Sequence, residues 1–300
     1  GFMKEETVFC FLAEDRASAY QGLLLSKSIR AFGGRVSNAR IFALVPLSAD
    51  GLDEKIKKAY FESKIEIIVF SIKYENSIYP LGLKACAGAF AEDLLEAVSD
   101  NVIFLDSDSL LINYGEDLIL KKNKAVGLRP VDKKLIGIAE NEDSEFWKRL
   151  CDILGGQDFF EVETSAENEK IKAYFNCGFI LFSPKEKLLS KWLDNFIKAG
   201  EDGQIQKICR ETPLYGLFLH QAVFTCTVFE ALNKDKIEIL SPKVNFPLHL
   251  YKEYKADKKP GNISQLISLR YDTYFNNKNW RDDSFIAGPY CDFLIRETDF

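Results

Sequence analysis

Histidine and methionine are scarce in this chain: two histidines, His220 and His249, and one methionine in 300 residues. Chemistry that needs several imidazoles, such as a multi-histidine metal centre, has little material to work with. Seven cysteines are present without a C-x-x-C pair, so no zinc-ligand spacing supports a structural zinc site. Most of them sit in apolar company, as the reduced, buried thiols of a cytoplasmic protein would. No apolar run approaches the roughly 20 residues that a bilayer span requires, and the first residues lack the length and cleavage pattern of a signal peptide. A cytoplasmic location is therefore expected. Basic excess is missing too. Lys and Arg number 39 against 45 Asp and Glu, a net charge of −6, which argues against a general nucleic-acid binder that must displace phosphate counterions. Repeats, low-complexity tracts and Pro/Gly-rich linkers are all absent.

What is there has an ordinary globular balance, 47% hydrophobic and 28% charged, enough to bury a sizeable core. The first hundred residues alternate two signals. Unbroken apolar runs at 7–12, 40–45, 65–70 and 101–106 read as strands. Stretches at about 17–32, 52–61 and 84–98 read as helices, the first stopped by Gly33-Gly34, where left-handed backbone costs glycine little. Runs without polar alternation are what parallel strands covered on both faces look like. Strand, helix, strand in succession implies right-handed crossovers and an open α/β sheet. Further on, 144–154, 186–198 and 217–232 read as helices, 173–182 and 236–240 as strands, and the acidic stretch 155–169 as an exposed loop or flap. One domain over 1–300 is expected, with a nucleotide-binding type of layout over about 1–112 and a second half over about 113–300 that completes the sheet.

Asp106-Ser107-Asp108 follows directly on the apolar strand residues 102–105. Ligands of open α/β sheets bind beyond the carboxyl ends of the strands, and residues i and i+2 of an extended segment point the same way. Both carboxylates can thus converge on one hard cation, Mn²⁺ or Mg²⁺, or on a ligand it carries. Taken alone, such a pair is as well explained by a turn whose acidic residues cap the next element.

The order of motifs adds to this. Asp106-Ser107-Asp108, Tyr174-Phe175-Asn176-Cys177-Gly178, His220-Gln221, Asn245, Arg270-Tyr271 and Lys278-Asn279-Trp280 together resemble the glycogenin and lipopolysaccharide galactosyltransferase-like family. Those are retaining glycosyltransferases of the GT-A fold; Gly115-Glu116-Asp117-Leu118 also looks like the Gly-Asp-Leu that follows their D-x-D. The resemblance runs from about residue 7 to 280 and lies in the motifs. It implies a GT-A-like mixed central sheet flanked by helices, with 113–300 as the sugar- and acceptor-binding half. It also implies transfer of a hexose from a nucleoside diphosphate sugar, UDP-sugar favoured, to a saccharide, lipid or protein acceptor. By resemblance, Asp106 and Asp108 hold the metal on the donor diphosphate, Asn176 and Gly178 line the sugar and acceptor pocket, and Gln221 faces the reacting sugar carbon. Lys278 neutralises diphosphate, with Ser107, Lys84 and His220 also in the donor set. Asp15, after the first strand, is expected at the ribose or base.

Two positions depart from the family pattern. His220 stands where the family has Asp before Gln. Arg270 stands where a metal-binding histidine is expected, which removes the third protein ligand. His249 is a substitute ligand at a spacing that does not match; alternatively Arg270, a permanent cation, takes over part of the metal's charge stabilisation. Two other readings remain at this point. The strand and D-x-D also resemble the loop of haloacid-dehalogenase-like phosphatases, with Asp106 as nucleophile, although that loop follows a first strand and carries Gly-Thr where Ser109-Leu110 stand here. A non-catalytic sugar-nucleotide binder, a degenerate transferase, is the other.

Overall fold

The computed structural model describes residues 4–48, 52–72 and 79–298; residues 1–3, part of the chain start read above, lie outside them. The amino-terminal half alternates as expected: β1 (Val8–Leu12), α1 (Arg16–Phe32), β2 (Ile41–Pro46), α2 (Glu54–Glu62), β3 (Ile65–Phe70), α3 (Leu83–Leu95) and β4 (Val102–Leu105). The chain then gives β5 (Ser109–Leu111), β6 (Val126–Pro130) and α4 (Glu145–Leu154), followed by a hairpin of β7 (Glu161–Glu163) and β8 (Lys170–Lys172). After β9 (Phe175–Phe182) come three helices, α5 (Leu188–Glu201), α6 (Gly203–Glu211) and α7 (Pro213–Ala231). Short strands β10 (Ile237–Ile239), β11 (Phe246–Pro247) and β12 (Ser268–Arg270) precede α8 (Pro289–Glu297).

Seven strands form one sheet in the order β10-β6-β9-β4-β1-β2-β3. β1 pairs in parallel with β2 and β4, whereas β9 runs antiparallel to both β4 and β6. The sheet is therefore mixed, and strands from both halves of the chain build it. Its apolar runs are covered on both faces, as their lack of alternation predicts. Phe9 and Phe11 belong to one core with α1, while Val8, Cys10 and Phe104 belong to the other with α3, α5 and α7. The edge strand β3 is covered at its ends, Ile65 and Phe70, while Glu66, Ile67 and Val69 are exposed.

Helix α7 is apolar on nearly every face and buried on nearly every face, as such a helix must be. Two side chains fasten it to β9: Gln221 Oε1 accepts from Cys177 N (3.1 Å) and Thr225 Oγ1 from Phe175 N (3.1 Å). Trp192 of α5 donates its indole N–H to the His220 carbonyl (2.9 Å). The carboxylate of buried Glu92 on α3 accepts from Leu189 N, Ser190 N and Ser190 Oγ, which caps the start of α5.

The stretch 155–169 is not a free flap. It carries β7, and Val162 and Thr164 are buried. Its charges lie on the outer face of the β7–β8 hairpin, where Lys170 pairs with Glu161 at 3.1 Å, and Val162 faces inward opposite Ile171. Charge alone misread an alternating strand as a loop.

A second, three-stranded sheet has the order β11-β12-β5. Arg270 on β12 sits opposite Ser109 on β5, so this small sheet brings a cation to the residue that follows the D-x-D. Positions 106–108 thus bridge the two sheets.

Candidate functional site

A cleft of about 590 Å³ opens at the carboxyl ends of β1, β4 and β6 and against α7, the end of the sheet where open α/β folds take ligands. A volume of that size falls in the range of small-molecule sites. Asp106, Ser107, Asp108, Lys84, Asn176, Gly178, His220, Gln221, His249 and Arg270 all line it. Residues scattered over nearly two hundred positions of chain therefore meet in one place.

The strand geometry explains how. Asp106 N donates to the Gly178 carbonyl at 2.9 Å, extending the β4–β9 pairing by one residue. On its other side β9 pairs with β6, and the register slips between Leu128 opposite Ile180 and Arg129 opposite Asn176. The surplus residues of β9 form a bulge, a device that bends a strand and re-aims its side chains. Asn176 and Gly178 lie at this bulge. Asn176 Oδ1 accepts from Gly178 N (2.7 Å), Asn245 Nδ2 (3.2 Å) and Arg270 Nη1 (3.2 Å). A Cβ at position 178 would come within 2.8 Å of Asn176 Oδ1 and of Asp106 Oδ2, and within 2.9 Å of Arg270 Nη1. Only glycine leaves those three groups where they are.

Lys84 does not reach outward to water, as an amphipathic lysine at a helix start can. Its side chain is only 9% exposed and its ammonium is paired with Asp106, with Nζ 5.3 Å from the Phe104 ring centre. Burial works against the charge on Asp106, but Lys84 and Arg270 outweigh it and hold that carboxyl below the usual range. Burial, and then the neighbouring Asp106 charge, push the Asp108 carboxyl up. Asp108 is fixed through its backbone, whose carbonyl accepts from Tyr271 N at 3.0 Å. Ser107 turns the other way and donates to Gln21 Oε1 (2.9 Å).

Gln221 spends its amide on the wall of the cleft: besides the Cys177 bond, its Nε2 donates to Tyr174 Oη at 2.8 Å. The His220 imidazole beside it is buried, and burial, followed by the Lys84 charge, pulls it down to about 3. It is neutral. His249 Nδ1 likewise has no partner, and Nε2 lies 3.9 Å from Asp272 Oδ2.

Two expected donor residues lie elsewhere. The Asp15 carboxylate accepts from Ser18 N and Ser18 Oγ as the cap of α1, and it is the preceding Glu14 that lines the cleft. Lys278 is exposed, between two turns of 3-10 helix, and is not among the lining residues. Conversely, the sequence reading passed over Asp132 and Asp272, both in the lining. Asp132 is buried, paired with Arg129 at 3.0 Å and 3.9 Å from Arg270. The available signal was a charged residue just past the apolar strand β6.

The Mn²⁺ or Mg²⁺ implied by the resemblance does not fit this donor set. Among the described residues no group of three or more His, Cys, Asp or Glu side chains is arranged to hold a metal ion. The group paired with Asp106 is an ammonium, and the Arg270 guanidinium lines the same cleft; both repel a cation.

A family model, the Rhodobacterales glycosyltransferase domain, matches residues 9–228. No curated protein sequence matches the chain. Among solved structures it is similar to the WbbM bifunctional glycosyltransferase in its apo form, at a TM-score of 0.57 and 13% identity, over 100% of this chain and 51% of that one. It is also similar to the glycosyltransferase GlyE of Streptococcus pneumoniae TIGR4, at a TM-score of 0.53 and 15% identity, over 99% of this chain and 61% of that one. Identities this low speak to fold, the GT-A-like arrangement of a mixed sheet between helices. The chain spans about half to three fifths of the length of these two structures. No helix among the described residues is long and apolar enough to cross a membrane. Neither the phosphatase reading nor the non-catalytic one is favoured by these matches. The matched segment contains the D-x-D, the bulged strand and the His220-Gln221 helix, and the chain belongs to the Rhodobacterales glycosyltransferase domain family.

Proposed function

We propose that this domain transfers a hexose from a nucleoside diphosphate sugar, a UDP-sugar being favoured, to the hydroxyl of a saccharide, lipid or protein acceptor. One observation carries the reading: the D-x-D, two cations and the amides of Asn176 and Gln221 face a single cleft at the carboxyl ends of the parallel strands. Catalysis in such a site is positioning together with stabilisation of the charge that develops on the departing diphosphate. Asn176 and Gln221 are held by at least two hydrogen bonds each, so they present fixed dipoles to the sugar. Neutral His220 supplies an uncharged wall. Transfer with retention, the acceptor hydroxyl attacking from the leaving-group face, follows from the family resemblance of the sequence. Thermal-shift measurements with UDP-, GDP- and CDP-sugars test the reading. Stabilisation by one base series is expected, with release of the nucleoside diphosphate once an acceptor is found. Indifference to all three series would sink it.

A further inference from the structure

We propose that the donor's diphosphate is held by Lys84 and Arg270 in place of a divalent metal ion; this rests on the transferase reading and specifies how that donor's charge is met. Two side chains of permanent or near-permanent positive charge reach the same cleft from unrelated elements, the first turn of α3 and the last residue of β12. Their side chains are 9% and 15% exposed. Withdrawing a cation from water is unfavourable without a compensating anion, and Arg270 has only part of one here. Lys84 is paired with Asp106. Arg270 bonds an uncharged amide, Asn176, and lies 3.9 Å from Asp132, which Arg129 already engages at 3.0 Å. Of the five N–H donors of a guanidinium, most are thus left to meet phosphate oxygens, for which the planar fork is suited.

The arrangement also explains why Gly178 is needed. Arg270 Nη1, Asp106 Oδ2 and Asn176 Oδ1 crowd about the space its Cβ would fill, so a side chain there would displace Arg270 and the D-x-D together. Asp106 then orients the Lys84 ammonium. Asp108, Glu14 and Asp272 add acidic groups nearby, so a metal-dependent site is the rival arrangement.

Isothermal titration of the full chain with UDP, GDP and CDP, in excess EDTA and again in excess MnCl₂, separates the two. Binding of one diphosphate with the same affinity in both media is expected. Spin-resonance titration should show no saturable Mn²⁺ site, with or without that nucleotide. Arg270→Gln should weaken the diphosphate ten- to hundredfold while the matching nucleoside changes little, and Arg270→Lys should recover part of the loss. A merely structural arginine would affect nucleoside and diphosphate alike. Binding that requires Mn²⁺ overturns the inference and leaves the transferase reading standing. Absence of binding in either medium overturns both. Should the Arg270 variants fail to fold, the wild-type comparison decides alone.

Discussion

Gly22 offers a sharp test of how α1 packs on the central sheet, because two known effects pull in opposite directions there. It lies inside α1 and faces β1, and a Cβ built on it would stand 2.0 Å from Phe11 Cε2, 2.4 Å from Cζ and 2.6 Å from Cδ2. Carbon atoms attract best at about 3.5–4.0 Å, so in Gly22→Ala the ring must retreat by roughly 1.5 Å on that scale. It has nowhere to go. Phe11 is fully buried and meets Tyr60 edge-on at 6.2 Å between ring centres. Tyr60 is itself tied to α1 by a 2.7 Å bond to the Ala19 carbonyl. Helix propensity favours alanine over glycine by about 1 kcal/mol. Overpacking costs about 1–3 kcal/mol and occasionally more, and overlap with three ring atoms belongs at the upper end. The net is a destabilisation of about 2 kcal/mol. Urea unfolding followed by circular dichroism would report it as a lower midpoint with an unchanged slope. Phe11→Leu in the Gly22→Ala background should give back part of the loss, a coupling that only direct contact produces. A Gly22→Ala protein as stable as wild type, or more so, would mean that propensity governs and that the helix does not approach β1 this closely.

Other expectations follow from the same contacts. Gly178→Ala displaces Asp106, Asn176 and Arg270 by several tenths of an ångström, so nucleotide-sugar turnover should fall about a hundredfold while melting temperature drops by only a few degrees; unchanged turnover would detach those three groups from function. Glu92→Gln leaves at least one of the donors at the start of α5 facing an amide N–H and should cost about 1–3 kcal/mol, measured as a lower urea midpoint. His220 is pulled down to about 3 by burial, against about 6.5 for a free imidazole. The unfolded chain therefore takes up a proton that the folded chain refuses, and stability drains away as pH falls from about 6.5 towards 3. At pH 5 the loss is about 2 kcal/mol relative to neutral solution. His220→Asn should lack that component, and identical pH slopes for the two proteins would show that the ring is solvated.

Much of the sheet could be read from the chain because its strands are buried on both sides. Runs such as Val8–Leu12, Val102–Leu105 and Phe175–Phe182 have no polar alternation to confuse with a helix. Apart from the five-residue β6, the strands that escaped notice are short. β5, β7, β8, β10 and β12 have three residues each, too few for a period to register; of these only β10 was read in advance, and with wider bounds. Yet β12 is the one that delivers Arg270 beside the D-x-D, so the small sheet was needed to place a cation that the sequence had marked only as a departure from pattern. Lys84 shows the same limit. Its partner, Asp106, is twenty-two positions away, a pairing that no local pattern displays.

Asp15 could have been placed correctly from local chemistry alone. An acidic residue three positions before a serine at the start of a helix is a capping arrangement, and that carboxylate is committed to Ser18. A spent carboxylate leaves Glu14, one residue earlier, as the acid that can face the cleft. The same logic of commitment sorts the rest of the site. Ser107 is bound to Gln21 and Gln221 to the β9 backbone and Tyr174, so these two shape the cleft more than they offer it new bonds. Arg270 keeps most of its donors, so it is the group with hydrogen-bonding capacity left for a ligand. Sequence motifs indicated which residues gather. Only the hydrogen-bond accounting separates walls from hands, because an amide or hydroxyl already satisfied inside the protein gains little by turning to a substrate, whereas an unsatisfied buried donor or acceptor gains a great deal.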